Sequence, residues 1–332
     1  MHAPPANRPR VSRRDVCAGA AAACATALGP VSPARPSETN APPPAPPEDY
    51  RIRNGRIKHS VMGWCYNPVP VSEVIAACHR MGMPAMEGVG RDVYPQIRER
   101  GMKISLVGSH GFSKGPLDPE NRGMCIEKLR EGIDVAVQFG SPNVITFTGM
   151  RVPGVSDEQA RRNCVECWKQ VVPYAEEKGV NLCLEHLNTR DNTHPMKGHP
   201  GYFGDDVDLC IDLIKQVDSP RMKLLFDIYH VQIMNGDVSR RIRQYKDYIG
   251  HVHTAGVPGR GELDENQEIN YPAVMRTLLE VGYDGFTAHE FIPTWSDKLA
   301  SLRANNSSSA SGGAEAHSMR PSKSVRARHS KS

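Results

Sequence analysis

Residues 223–255 read KLLFDIYHVQIMNGDVSRRIRQYKDYIGHVHTA. An apolar run rich in large and branched residues (223–230) gives way to an amphipathic stretch, DVSRRIRQYKDY, and then to a second β-like run, IGHVHTA (249–255). Strand, helix and strand in so short a span make the parallel βαβ unit. Both runs also carry chemistry. The first holds Asp227, with His230 three residues on, and the second holds His251 and His253, which a period of two places on one strand face.

Working outward, the same pattern repeats. Strand-like runs fall at 57–63, 84–89, 102–108, 143–149, 180–186, 223–230, 249–255 and 284–290. Helix-like runs separate them, one of them continuous over 156–179, and several open on Ser or Asp and close on Gly, as helix capping requires. Eight strand–helix repeats predict a single-domain α/β fold, the (β/α)8 TIM barrel, over residues 56–303. No G-x-G-x-x-G follows the first strand, which argues against an open dinucleotide-binding sheet. After TWSDKLASLRA the apolar period stops, so the last helix is expected to be only about ten residues long, with a disordered basic tail over 304–332.

The composition, 39% hydrophobic and 23% charged, is that of an ordinary globular protein. The net charge of +4 belongs to the ends: residues 1–56 and 304–332 each carry +4, which leaves 57–303 at −4. A basic excess confined to tails is not a nucleic-acid footprint. Arg13-Arg14 before an Ala-rich run ending Ala25-Thr26-Ala27 reads as a twin-arginine signal over 1–29 with an A-x-A cleavage site. A Pro-rich linker over 30–55 follows. The expected destination is the periplasm, or the cytoplasm if the leader is not such a signal. Of nine cysteines, seven lie beyond the leader with no framework spacing, so they read as free core thiols. No stretch has the ~18 apolar residues of a membrane span.

In a TIM barrel the reactive groups stand at the C-terminal ends of the strands. Strand 5 ends CLEH, giving Glu185, strand 6 ends LLFDIYH, giving Asp227, strand 7 offers His253, and strand 8 ends TAHEF, giving Glu290. Three carboxylates in one narrow mouth would repel one another and resist desolvation unless a cation joins them. Three oxygen donors and one imidazole favour one divalent ion, Mn²⁺ or Mg²⁺ with Co²⁺ a further option, over a thiolate zinc site. His251 reads as a hydrogen-bonded residue one layer lower, and His289, of opposite parity to Glu290, should face the helices. Trp64, at the end of strand 1, is either a pocket wall or an ordinary packed aromatic.

The stretches LCLEHLN, FDIYHVQIMNGD, IGHVHTAGVPGRGE, QEINY and YDGFTAHEF resemble the hydroxypyruvate isomerase family of the xylose-isomerase-like barrels, a likeness that runs from about 57 to 303. The resemblance implies one divalent metal on Glu185, Asp227, His253 and Glu290. Glu185 and Glu290 would double as acid and base, and His230 and Arg260 would contact the substrate. The loop NTRDNTHPMKGHPGYF, which carries Lys197 as a further substrate contact, would cover the site. The implied reaction is the aldose–ketose interconversion of hydroxypyruvate and tartronate semialdehyde through an enediolate. The chain departs from part of the family in carrying His253 where some members have Gln. His at that position is found in sugar epimerases of the superfamily, which leaves a sugar or inositol-type isomerase or epimerase as an alternative. An exported, non-catalytic sugar-binding barrel is a second alternative. A three-zinc endonuclease would need extra ligands, for which strands 2 and 3 offer only Glu87 and His110. The expected partner is a small hydroxy-keto acid or sugar, with no nucleic acid and no membrane span, and homo-oligomer formation left open.

Overall fold

Eight parallel strands form at the predicted places: β1 Lys58–Val61, β2 Ala85–Met86, β3 Lys103–Ile104, β4 Asn143–Thr146, β5 Asn181–Glu185, β6 Met222–Asp227, β7 Ile249–Thr254 and β8 Phe286–His289. The computed structural model describes residues 46–52 and 55–315, with side chains to Ser307. All of these belong to one structural unit, Pro43–Ser332. The expected leader (1–29), most of the linker and residues 316–332 of the tail lie outside the described residues.

The order β1-β8-β7-β6-β5-β4 is continuous and β2 pairs with β3. Parallel bridges at Met62–Glu87 and Val107–Val144 join these two sheets and close the ring. The helices are α1 Val71–Met81, α2 Tyr94–Glu99, α3 Arg122–Phe139, α4 Asp157–Lys169, α5 Val172–Lys178, α6 Val207–Val217, α7 Ile228–Met234, α8 Val238–Tyr245, α9 Tyr271–Glu280 and α10 Lys298–Glu315. Caps form at several of the expected places, although Asp237 before α8 makes no side-chain cap bond. Ser156 caps α4, Asp206 caps α6 and Asn270 caps α9 through side-chain oxygens, while α1, α3 and α5 end on left-handed Gly82, Gly140 and Gly179.

Outward-facing strand residues Val144, Leu182, Leu184, Leu224, Phe226 and Val252 are fully buried in the main apolar core. Their inward neighbours line the barrel, which holds a separate small cluster of Leu106, Cys183 and Leu225. All seven cysteines beyond the leader are buried and free. No helix among the described residues is long and apolar enough to cross a membrane.

Three local expectations are corrected. Strand 6 stops at Asp227 rather than His230, because the Asp227 side chain accepts from Tyr229 N at 2.8 Å and His230 N at 3.4 Å and starts α7 there. The long helix predicted across 156–179 breaks into α4 and α5, since Pro173 has no N–H to continue the ladder. The last helix runs to Glu315 rather than stopping after about ten residues. Packing anchors its first part: Leu302 and Asn305 are buried, and Asn305 Oδ1 accepts from Leu263 N.

Trp168 of α4 is completely buried and donates from Nε1 to Thr146 Oγ1 of β4 at 3.0 Å. Trp168→Ala should therefore lower unfolding stability by roughly 3–5 kcal/mol, read from the denaturant midpoint. A change under 1 kcal/mol would mean that the α4–β4 contact contributes little.

Candidate active site

Each of the last four strands places one donor at the mouth. Glu185 ends β5, Asp227 ends β6, His253 lies in β7 and Glu290 follows β8, and one donor atom from each lies within 4.8 Å of the others. All four are buried. His253 Nδ1 is 2.7 Å from Glu290 Oε2 and 3.4 Å from Glu185 Oε1. Even so, neither His253 Nδ1 nor Glu290 Oε2 makes a hydrogen bond. One donor atom from each of the four residues thus lies close to the others. This arrangement fits a cation.

Arg260 supplies positive charge. Its Nη2 lies 2.6 Å from Glu290 Oε2 and 3.3 Å from Asp227 Oδ2, and its Nη1 donates to the Met196 carbonyl of the loop after β5. The guanidinium sits between aromatic faces, 5.3 Å from the Tyr229 ring centroid and 6.0 Å from that of Trp64. To reach this place Arg260 adopts φ +56°, a left-handed conformation that costs a non-glycine residue roughly 1–3 kcal/mol.

The charges are unevenly compensated. Burial pushes Glu185 up to about 7 and Asp227 up to about 6. Burial acts on Glu290 in the same sense, but Arg260 and His253 outweigh it and hold that carboxyl below its usual range. His253 is drawn down by burial, yet the surrounding carboxylates hold it well above the ordinary imidazole value. One carboxylate oxygen of Asp227 caps α7 while the other faces Arg260, so one residue both starts the helix and serves the mouth.

His230 lies in the first turn of α7. Its Nδ1 accepts from Asn188 N at 3.0 Å and faces Asn188 Nδ2 at 2.8 Å, which places the ring proton on Nε2. That Nε2 is buried, makes no hydrogen bond and lies 3.6 Å from Asp227 Oδ2. Burial, with Arg260 close by, holds the ring well below its ordinary pKa, so it is a neutral donor. Trp64 is half-buried beside Arg260. Lys197 is half-buried in the loop, and its Nζ would be 3.9 Å from a Cβ built on Gly259. It stands at the rim, not among the donors. His289 faces away from the mouth, within hydrogen-bonding distance of His59 and Thr254.

Sequence reasoning passed over two residues. Asn188 sets the His230 tautomer. Glu87, weighed only as a spare zinc ligand, lies 2.8 Å from His253 Nε2 and 2.9 Å from His251 Nε2. The one available signal was a carboxylate inside the apolar run PAMEGV. His110 lies 3.0 Å from Thr146 Oγ1 and is outside the donor set. A cavity of about 680 Å³ at the opposite, N-terminal end of the barrel, lined by Lys58, Lys103, Lys223 and Lys246, contains none of the donors.

A family model described as a xylose isomerase-like TIM barrel matches residues 73–305. The chain belongs to that family. It is 32% identical over 213 residues to the human protein named putative hydroxypyruvate isomerase, covering 59% of this chain and 72% of that one. It is also 32% identical over 166 residues to the 2-oxo-tetronate isomerase of Cupriavidus necator, covering 50% and 60%. By these relatives the chain is an isomerase of the family. Among solved structures, an L-ribulose 3-epimerase matches with a TM-score of 0.65 over 83% of this chain and all of that one, at 17% identity, which is a likeness of fold alone.

Removing the guanidinium tests the charge balance. Arg260→Met should destabilise the EDTA-treated protein by roughly 3–5 kcal/mol at pH 8. A carboxyl whose folded pKa is raised takes up a proton on folding, so the folded state gains as pH falls through 7 and 6, where Glu185 and Asp227 titrate. The loss should therefore shrink at pH 5.5, and equal losses at both pH values in urea melts would count against this balance.

Proposed function

We propose that the chain is an aldose–ketose isomerase that interconverts hydroxypyruvate and tartronate semialdehyde. The observation that carries this reading is the placement of two glutamates, Glu185 and Glu290, in one buried cluster with Asp227, His253 and Arg260. The isomerisation needs such a pair. One carboxylate takes a proton from the hydroxymethyl carbon, leaving an enediolate, and a carboxylic acid returns a proton to the adjacent carbon. A hydroxyl proton moves to the neighbouring oxygen in the same cycle. Four buried donors converge on one point, so Glu185, Asp227, His253 and Glu290 would hold a single divalent ion, Mn²⁺ or Mg²⁺. When bound, that ion supplies electrostatic stabilisation of the charge that develops on adjacent substrate oxygens.

The protein's own groups do the rest. The neutral Nε2–H of His230 donates to a substrate oxygen, with Asn188 holding the tautomer. Arg260, packed between Trp64 and Tyr229, pairs with the substrate carboxylate, and Lys197 adds positive charge at the rim. The loop tied down by the Arg260–Met196 contact keeps water from the enediolate.

A second reading rests on the Cupriavidus relative, whose name specifies a 2-oxo-tetronate. Such a substrate has the same 2-oxo acid head with one more carbon, and the same residues would serve it.

Mn²⁺-loaded protein should convert hydroxypyruvate to tartronate semialdehyde in a coupled assay, and the EDTA-treated protein should not. Glu290→Gln should lower kcat by about 10²–10⁴-fold. Turnover of a 2-oxo-tetronate alone would shift the assignment to the second reading, and turnover of neither would end both. Glu185 and Asp227 must release their protons to a cation, so Mn²⁺ affinity should tighten as pH rises through 6 to 7. Calorimetry showing pH-independent affinity would contradict the ligand set.

A further inference from the structure

Glu87 is fully buried at the top of β2, beside the donor cluster but outside it. Its backbone is fixed from both sides: its N–H donates to Val61 O at 2.9 Å and its carbonyl accepts from Gly63 N at 2.8 Å. Its carboxylate is fixed as well. Ser105 Oγ donates to Oε2, and Ser60 Oγ backs Ser105 at 2.6 Å. Held this way, Oε1 lies 2.8 Å from His253 Nε2 and Oε2 lies 2.9 Å from His251 Nε2. An ionised carboxylate can only accept hydrogen bonds. The ring atom facing it must therefore be an N–H, and a neutral imidazole then has its lone pair on the other nitrogen. In His253 that other nitrogen is Nδ1, the atom left without a hydrogen bond among Glu185 and Glu290.

We propose that Glu87 is a positioning residue that holds the proton of His253 on Nε2, so that Nδ1 is the atom this ring presents to a divalent cation. The inference rests on the cation reading given above and extends it to a residue that is neither ligand nor acid–base group. It also explains the paired histidines of β7. Two imidazoles on one strand face lie against one carboxylate: the bond from His253 Nε2 restrains that ring and its tautomer, while His251 Nε2 lies 2.9 Å from the other oxygen without a hydrogen bond. A bound His whose second nitrogen loses a carboxylate partner commonly costs 10–100-fold in metal affinity.

The test uses the full chain. Mn²⁺ binding is measured by calorimetry for the wild type, Glu87→Leu and Glu87→Gln. The same proteins loaded with Co²⁺ are studied by proton NMR in water and in D₂O. The wild type should bind one ion and show a paramagnetically shifted, solvent-exchangeable imidazole N–H from His253. Glu87→Leu should bind roughly 10–100-fold more weakly, with that signal lost to fast exchange. Glu87→Gln should lose far less affinity than the leucine variant and keep the signal, because its carbonyl still accepts from His253 while its amide donates to His251 Nε2 once that ring carries its proton on Nδ1. Wild-type binding with equal affinity in Glu87→Leu would overturn the inference, as would a Co²⁺ spectrum without the exchangeable signal. Should the leucine variant fail to fold, the wild-type spectrum and the glutamine variant decide between the same outcomes. Two ions per wild-type chain would also overturn it, by making Glu87, His251 and His253 a site of their own. No binding by the wild type at all is a different failure, because it removes the cation reading and this inference with it.

Discussion

Four carboxylates, Glu87, Glu185, Asp227 and Glu290, are buried together at one end of the barrel, and the arrangement of the mouth follows from that constraint. Each would cost several kcal/mol to bury alone as an anion. The protein distributes the problem. Glu87 is satisfied by the His253 imidazole and a serine hydroxyl, with His251 Nε2 2.9 Å away, Glu290 by Arg260, and Asp227 partly by Arg260 and partly by the N–H groups of α7. Glu185 has the least help, and burial leaves it the most prone to hold a proton. The uncompensated remainder is what a divalent cation would supply.

The same constraint accounts for the strained backbone at Arg260. A charged side chain on the rim would ordinarily extend into water. Here the left-handed φ turns it inward between Trp64 and Tyr229, against two carboxylates. Its other nitrogen bonds the Met196 carbonyl, so the group that balances the carboxylates also ties down the loop over the site. Charge neutralisation and loop closure are thereby coupled through one residue, and a change at one would be felt at the other.

The layered design of the barrel makes this coupling possible. Alternation along each strand sends Leu224, Phe226 and Val252 outward to the helices and Leu225, Asp227, His251 and His253 inward. The outward set anchors the fold and can do so whatever the inward set is. The interior is accordingly polar near the mouth and holds a small apolar cluster of Leu106, Cys183 and Leu225.

The strand–helix repeat, the cap residues and the four donors at strand ends were legible in the sequence, because period, capping and strand parity are local properties. So was the outward placement of His289, which follows from parity alone. The turn at Asp227, the break before Val172 and the length of α10 were not. The first two turn on local signals that the apolar runs overrode, an Asp side chain that caps α7 and the missing N–H of Pro173, and the third has no apolar period to read past Ala304. Glu87 and Asn188 were missed because each acts on an imidazole 42 or more positions away in the chain, at His230 for Asn188 and at His253 for Glu87. The sequence by itself determined which residues could carry charge at the barrel mouth. Only the tertiary structure decided which nitrogen of each histidine faces that mouth and which carboxylates are balanced, because proton placement and desolvation depend on neighbours that the chain brings together only when it closes.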